Sequence, residues 1–353
     1  MWRALADAIS SAPMDPYGLR RVVSPPGALP QRAEVLDPRL PPGEDELLLD
    51  VEALNVDAAS FHQIRTAAGG DPARIAGEIA RIVRERGKLH NPVTGSGGML
   101  IGRVREVGPR HPAAGRLSPG DRVASLVSLT LTPLLLERID AVRPEVDRVE
   151  CRGTAVLFAS GLWARLPEDL PERLVLAALD VCGAPALVAR HARPGMQVLV
   201  LGAGKSGSLV CAQAMESLGG RGRVVVADRA PEALEALRRL GICHAAVAVD
   251  ATGAAAALPA LMAAGGPYDL VVSCTSVPGT EMAAILPAAD GGTVIFFSMA
   301  TSFTAAALGA EGVGKDALLV IGNGYVPGHA ELTLGLLRRH PALRAHFEER
   351  HAR

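Results

Sequence analysis

Val198-Leu199-Val200-Leu201-Gly202-Ala203-Gly204-Lys205-Ser206-Gly207 joins an apolar, β-branched run directly to a G-x-G-x-x-G turn. Apolar residues at helical spacing follow (Leu209, Val210, Ala212, Ala214, Met215, Leu218), closed by Gly219-Gly220. A second apolar run, 223–227, then ends on Asp228. Strand, turn, helix and strand in that order predict a βαβ unit whose glycine turn receives a dinucleotide. Gly202 permits the tight turn, Gly204 lets backbone approach a pyrophosphate, and Gly207 lets the helix pack on the strand. Lys205 and Ser206 open the helix, where free N–H groups and the helix dipole favour phosphates. Asp228, about 20 residues beyond Gly207, is placed to accept hydrogen bonds from both ribose hydroxyls. Its charge would repel a 2′-phosphate, which favours NAD over NADP, although Arg229 beside it leaves NADP open. The same glycines would serve a tight turn in another α/β protein, but the acid at the next strand end weighs against that reading.

Helix and strand patterns alternate from about residue 170. A helix is predicted after Pro171, and another over 230–240. Further strands are predicted at 246–249, 268–273 and 292–297, with a helix over 280–287 between the last two. That alternation predicts a doubly wound parallel sheet. Ligands collect at the strand ends of such sheets, which marks Cys274-Thr275-Ser276 and Ser298-Met299 as cofactor-side candidates. Residues 18–160 read differently, as β-rich and loop-rich. Strands are predicted at 46–54 and 101–108, and a turn into a strand at 120–123. One helix is predicted over 72–86, with Asp71 as N-cap, Pro72 at the first helical position and Gly87 ending it.

The chain has 353 residues, enough for two domains. No run of about 18 apolar residues suggests a membrane span, and no basic-then-apolar start suggests a signal peptide. A formal net charge of −1 gives no case for nucleic acid or an anionic membrane as partner. Five scattered cysteines without C-x-x-C spacing predict reduced thiols and a cytoplasmic location.

Gly120-Asp121-Arg122-Val123, Pro194-Gly195, the glycine fingerprint and Gly291-Gly292 together resemble the medium-chain dehydrogenase/reductase superfamily. The resemblance implies an α/β protein: a Rossmann doubly wound parallel sheet plus a GroES-like β-rich catalytic domain. The expected boundaries are 1–165 with 322–353 for the catalytic domain, and 166–321 for the NAD-binding domain. Zinc alcohol dehydrogenases of this superfamily carry a cysteine after an early strand and then Gly-His-Glu. Here those regions read Ala53-Leu54-Asn55-Val56-Asp57-Ala58-Ala59-Ser60-Phe61-His62-Gln63 and Asn91-Pro92-Val93-Thr94-Gly95-Ser96-Gly97-Gly98-Met99. Cys182 matches the third ligand but is alone, and the four-cysteine zinc lobe is absent. A catalytic zinc needs three protein ligands, so no metal is expected.

Several other segments resemble the L-erythro-3,5-diaminohexanoate dehydrogenase family within that superfamily. They are Met14-Asp15-Pro16-Tyr17-Gly18-Leu19-Arg20-Arg21-Val22, 55–61, His90-Asn91 through Met99-Leu100, and Gly322-Asn323-Gly324-Tyr325. The resemblance implies NAD-dependent oxidation of a β-amino group with release of ammonia, on a small diamino acid. Superfamily members often pair through the Rossmann edge strand, so a homodimer or tetramer is expected.

Such chemistry needs a base for the amine proton, acids for two ammoniums and a cation for a carboxylate. Asp57, where the cysteine ligand is lost, is the first candidate acid; its alternative role is an N-cap for the segment after it. Asp180, in the apolar stretch 177–182, is the second, its alternative being an ion pair with Arg173 or Arg190. His62, His90 and Lys88 are further catalytic candidates, against packing or loop roles. Arg65, Ser96, Asn91 and Tyr325 are candidate substrate contacts. Two other readings stay open: a zinc-free NAD(P)-dependent alcohol dehydrogenase or quinone reductase, and a dinucleotide-binding protein without catalysis.

Overall fold

The computed structural model describes residues 14–351. The chain divides into two compact units between Glu168 and Asp169.

The first unit is built on an antiparallel sheet. Its strands in chain order are β1 (Val22–Ser24), β2 (Val35–Leu36), β3 (Glu46–Val56), β4 (Gly98–Val107), β5 (Arg122–Ser125), β6 (Leu134–Arg143), β7 (Arg148–Phe158) and β8 (Trp163–Arg165). β1 and β2 form a separate ribbon, and the other six pair in the order β6-β7-β3-β4-β5-β8. Two helices, α1 (Ala58–Ala67) and α2 (Pro72–Arg86), lie between β3 and β4 in the chain. Alternation along β3 buries Leu47, Leu49 and Val51, and these pack with Phe61 and Ile64 of α1 and with Ile75, Ile79 and Ile82 of α2. The α2 residues recur at helical spacing, so one stripe faces the sheet. Asp71 caps α2 through a 2.9 Å bond from Ala73 N, and Gly87 ends it at φ 63°. Both were legible from the turn chemistry. Fully buried Arg21 forks onto Glu46 at 2.8 and 2.6 Å, which ties the first described residues to the start of β3.

The second unit is a parallel sheet of β9 (Gln197–Leu201), β10 (Arg223–Asp228), β11 (Ala245–Ala248), β12 (Tyr268–Ser273), β13 (Ala288–Phe296) and β14 (Ala317–Ile321). Their order is β11-β10-β9-β12-β13-β14, all pairs parallel. The expected doubly wound α/β class is therefore present, and strand order reverses between β9 and β12. Its helices are α3 (Glu172–Leu179), α4 (Gly183–His191), α5 (Lys205–Leu218), α6 (Pro231–Arg239), α7 (Ala254–Ala263), α8 (Glu281–Ile285), α9 (Phe303–Gly312), α10 (His329–Arg339) and α11 (Pro341–His351). The segment from 322 onward, expected with the catalytic domain, belongs to this second unit. Thr333 Oγ1 donates to the Cys182 carbonyl at 3.2 Å, and Arg338 forks onto Asp169. Among the described residues, no single helix is long and apolar enough to cross a membrane.

Candidate active site

Candidate residues gather at two places, one in each unit. In the second unit the turn from β9 into α5 carries the glycines. Gly202 sits at φ 98°, and its position lies close against the backbone of Cys274, whose N–H donates to Leu201 O at 2.7 Å. A Cβ at Gly207 would meet Gly202 O at 1.8 Å, so only glycine lets α5 start this close to the strand. Gly204 is the opposite case: a Cβ there meets nothing within 4 Å. That open cradle at a helix N-terminus fits a pyrophosphate. Asp228 holds the turn as well as facing it: Oδ2 accepts from Ala203 N at 2.7 Å and Oδ1 from Ala230 N at 2.8 Å. Arg229 is exposed and lies in the electrostatic neighbourhood of Asp250.

At the neighbouring strand ends, Thr275 shares a 2.8 Å hydroxyl bond with Thr280, while Ser276 is exposed. Ser298 Oγ accepts from Ala300 N at 3.1 Å, and Met299 is 80% exposed. Tyr325 belongs to this unit, edge-on to His329, and not to the first unit where its expected substrate role was assigned.

Asp180 departs from the expectation of a charge embedded among apolar neighbours. It is exposed, because α3 ends at Leu179 and the carboxylate points out of the turn. Its partner is neither Arg173 nor Arg190 but Lys205, at the opening of α5. Residues 25 positions apart in the chain are thus brought together where α5 begins. His351 adds to this corner; burial, then Lys205 and His346, push its imidazole down to about 4.

In the first unit, Asp57 ends β3 and caps α1. Its Oδ1 accepts from Ala59 N at 3.0 Å, Ser60 N at 3.2 Å and Ser96 Oγ at 2.9 Å. The alternative N-cap role is thus present in the structure. Ser60, Thr94 and Ser96 form a hydroxyl triangle with sides of 2.6, 2.6 and 3.1 Å. Asn91 braces it, donating to Gln63 Oε1 at 2.9 Å and accepting from Val93 N at 2.8 Å. His62 is exposed and Arg65 half-buried on the same helix. Ser60 and Asp147, which no motif in the sequence marks, also belong to this neighbourhood. Asp147 lies near Asp57, Arg65 and His62 in charge terms, and only a Pro-containing turn at 144–147 marked its position in the sequence.

Lys88 and His90 stand apart from this group. Lys88 is fully buried, and its ammonium donates to Pro30 O at 2.8 Å. Burial, with Arg86 adding, pushes it down to about 8 from 10.5. His90, whose Nδ1 has no hydrogen-bond partner among the described residues, is also lowered, by burial and then by Lys88, Arg86 and Arg32. The structure therefore makes Lys88 a buried cation without surface, not a group presented to a ligand. A folded-state value below the unfolded one means that stability rises with pH between about 8 and 10.5. The depression costs about 3 kcal/mol at neutral pH, against about 1 kcal/mol for the bond to Pro30. Lys88→Met is expected to be about 2 kcal/mol more stable at pH 7. It should also lose that alkaline rise, as read by denaturant melts across pH. Equal or lower stability would refute the account.

Among the described residues, no three His, Cys, Asp or Glu side chains are placed to hold a metal ion. Cys182 is buried, its thiol pushed up to about 12 mainly by that burial.

The profile of the L-erythro-3,5-diaminohexanoate dehydrogenase N-terminal domain matches residues 20–167. The L-erythro-3,5-diaminohexanoate dehydrogenase of Acetoanaerobium sticklandii is 50% identical over 336 residues, 94% of this chain and 98% of that one. Its counterpart from Fusobacterium nucleatum is 47% identical over 336 residues, 94% and 97% of the two chains. Among solved structures, the alcohol dehydrogenase of Thermus sp. ATN1 aligns with a TM-score of 0.52 at 20% identity, over 88% of this chain and 87% of that one. This last likeness concerns the fold.

Proposed function

Because the chain belongs to the L-erythro-3,5-diaminohexanoate dehydrogenase family, we propose that it oxidises L-erythro-3,5-diaminohexanoate with NAD to 5-amino-3-oxohexanoate and ammonia. The observation that carries this reading is the 50% identity extending over 94% of the chain. On it the protein serves lysine fermentation.

The glycine turn would seat the dinucleotide: Gly204 leaves room for the pyrophosphate, the α5 N-terminus faces it, and Asp228 takes the ribose hydroxyls. When bound, NAD supplies the acceptor for a hydride from the amine-bearing carbon. Everything else falls to the chain. The substrate nitrogen must lose a proton before its carbon gives up hydride, so a carboxylate has to receive it. Asp57, with Ser96 and Ser60 fixing its orientation, offers negative charge to a substrate ammonium. Arg65 is the cation for the substrate carboxylate. Carboxylates in place of a metal supply the electrostatic complement in this reading.

The test is a single assay with 3,5-diaminohexanoate and NAD, following NADH absorbance and released ammonia, with chelator in one sample. Equal yields of NADH and ammonia, unchanged by chelator, are expected. No NADH while NAD still binds would overturn the substrate; loss of rate with chelator would overturn the metal-free mechanism.

A further inference from the structure

Asp147 is an acid to which the reading above gives no task. It sits in the turn between β6 and β7 at φ 51°, the one non-glycine residue at positive φ among the described residues. Left-handed backbone is uncommon outside glycine, though aspartate and asparagine tolerate it best. Such conformations persist where the surroundings hold them. Here the hold is visible: Val56 N donates to Asp147 O at 2.9 Å, and Asn55 stands opposite Arg148 in the β3–β7 register. The turn is thereby tied to the residue preceding Asp57. At the same end of the sheet, Asp57 N donates to Gly97 O at 3.3 Å, and Ser96 reaches the Asp57 carboxylate. The end of β3 and the starts of β4 and β7 converge there, carrying Asp57, Ser96 and Asp147.

We propose that Asp147 is the proton acceptor for the reacting ammonium, with Asp57 as the anchoring carboxylate beside it. The assignment rests on the amine-dehydrogenase reading. Division of labour follows from what each acid touches. Asp57 has one oxygen committed to three donors, an arrangement that holds a carboxylate in place. Asp147 is half-buried, and its pKa is raised by burial; Arg65 opposes this, Asp57 adds to it and His62 opposes it. Those three are the charged groups facing it from the end of β3 and from α1. An acid that binds its proton more firmly is the better base near neutral pH.

A proton passes from the substrate ammonium to a carboxylate oxygen of Asp147, leaving a lone pair on nitrogen. That pair forms the C=N bond as the hydride leaves the same carbon for the dinucleotide. Asp147 gives that proton up to solvent and takes another from the water that adds to the iminium carbon, as the C=N electrons return to nitrogen. It passes this second proton to the amine nitrogen; the C–N bond then breaks with its electrons on nitrogen, the oxygen forms the C=O bond, and the remaining hydroxyl proton leaves with ammonia as ammonium.

Asp147→Asn removes the charge and keeps a residue that accepts this backbone; Asp147→Gly does the same without a side chain. Both are expected to lower kcat by about 100-fold or more, to leave KM within about threefold, and to lose the acid limb of the kcat pH profile. A second readout needs neither substrate nor cofactor. A raised native pKa makes wild-type stability fall as pH rises through it, so the melting temperature of Asp147→Asn should gain on wild type with pH. Wild type without turnover on the diamino acid overturns the amine-dehydrogenase reading and this role with it. Active wild type with an unchanged kcat and pH profile in Asp147→Asn overturns Asp147 alone. Loss of rate with lowered melting in both variants at every pH overturns it in favour of a turn-holding residue.

Discussion

Replacing Gly207 by alanine is expected to unfasten α5 from β9 and abolish dinucleotide binding. The added Cβ would sit 1.8 Å from Gly202 O and 2.9 Å from Gly202 C. Both obstacles are backbone, so no side-chain rotation relieves them. Gly202 is itself tied by its N–H to Ala227 O at 2.8 Å, and a shift of the turn would disturb the sheet. Overpacking of this kind costs about 3 kcal/mol or more. For a unit of this size that lowers the melting temperature by about 6–12 °C. Gly204→Ala is the informative control. Its backbone lies at φ −81°, which alanine accepts, and its Cβ meets nothing within 4 Å. It should melt like wild type and still fail to bind NAD, because the methyl group fills the cradle. Paired melts and NAD titrations separate the two effects. Normal NAD affinity in Gly204→Ala would place the pyrophosphate elsewhere, and normal melting in Gly207→Ala would refute the packing argument.

Asp57→Asn is expected to lower kcat/KM by about 100-fold or more, mainly through KM, while NAD affinity stays unchanged. Asparagine is as good an N-cap as aspartate, so the bonds from Ala59 N and Ser60 N survive. Ser96 can still donate to its carbonyl oxygen. What disappears is the charge offered to a substrate ammonium, and truncating one partner of a charge-assisted pair costs about 2–5 kcal/mol. Steady-state kinetics with both substrates varied would read the effect. Near-wild-type kcat/KM would remove Asp57 from the site. A fall confined to kcat would exchange its role with that of Asp147.

Lys205 shows how a correct local reading still lacks its partner. The fingerprint placed it at the helix N-terminus, where the structure also has it. Nothing in the spacing said that Asp180 would meet it, since that pairing depends on how the α3–α4 turn packs beside α5. Lys88 is the sharper case. As the only lysine among residues 1–168 it invited a chemical role, yet α2 ends at Gly87 and delivers the next residue into the unit. The signal for that burial is the apolar stripe of α2, and it could be read only once the sheet it covers was known.

The elements governed by near neighbours in the chain were determined by sequence alone. The βαβ unit, the caps of α2 and the loss of two zinc-ligand positions all follow from spacing, turn chemistry and residue identity. Family membership was equally legible, because whole segments carry it. Tertiary structure alone decided the arrangements built from strands far apart in the chain: the β3–β7 register that ties Asp147 beside Asp57, the hydroxyl triangle of Ser60, Thr94 and Ser96, and the packing of residues after 322 with the second unit. The physical reason is that periodicity reports which face of an element is buried. Which remote element covers that face, and in what register, is set by the joint packing of the folded chain.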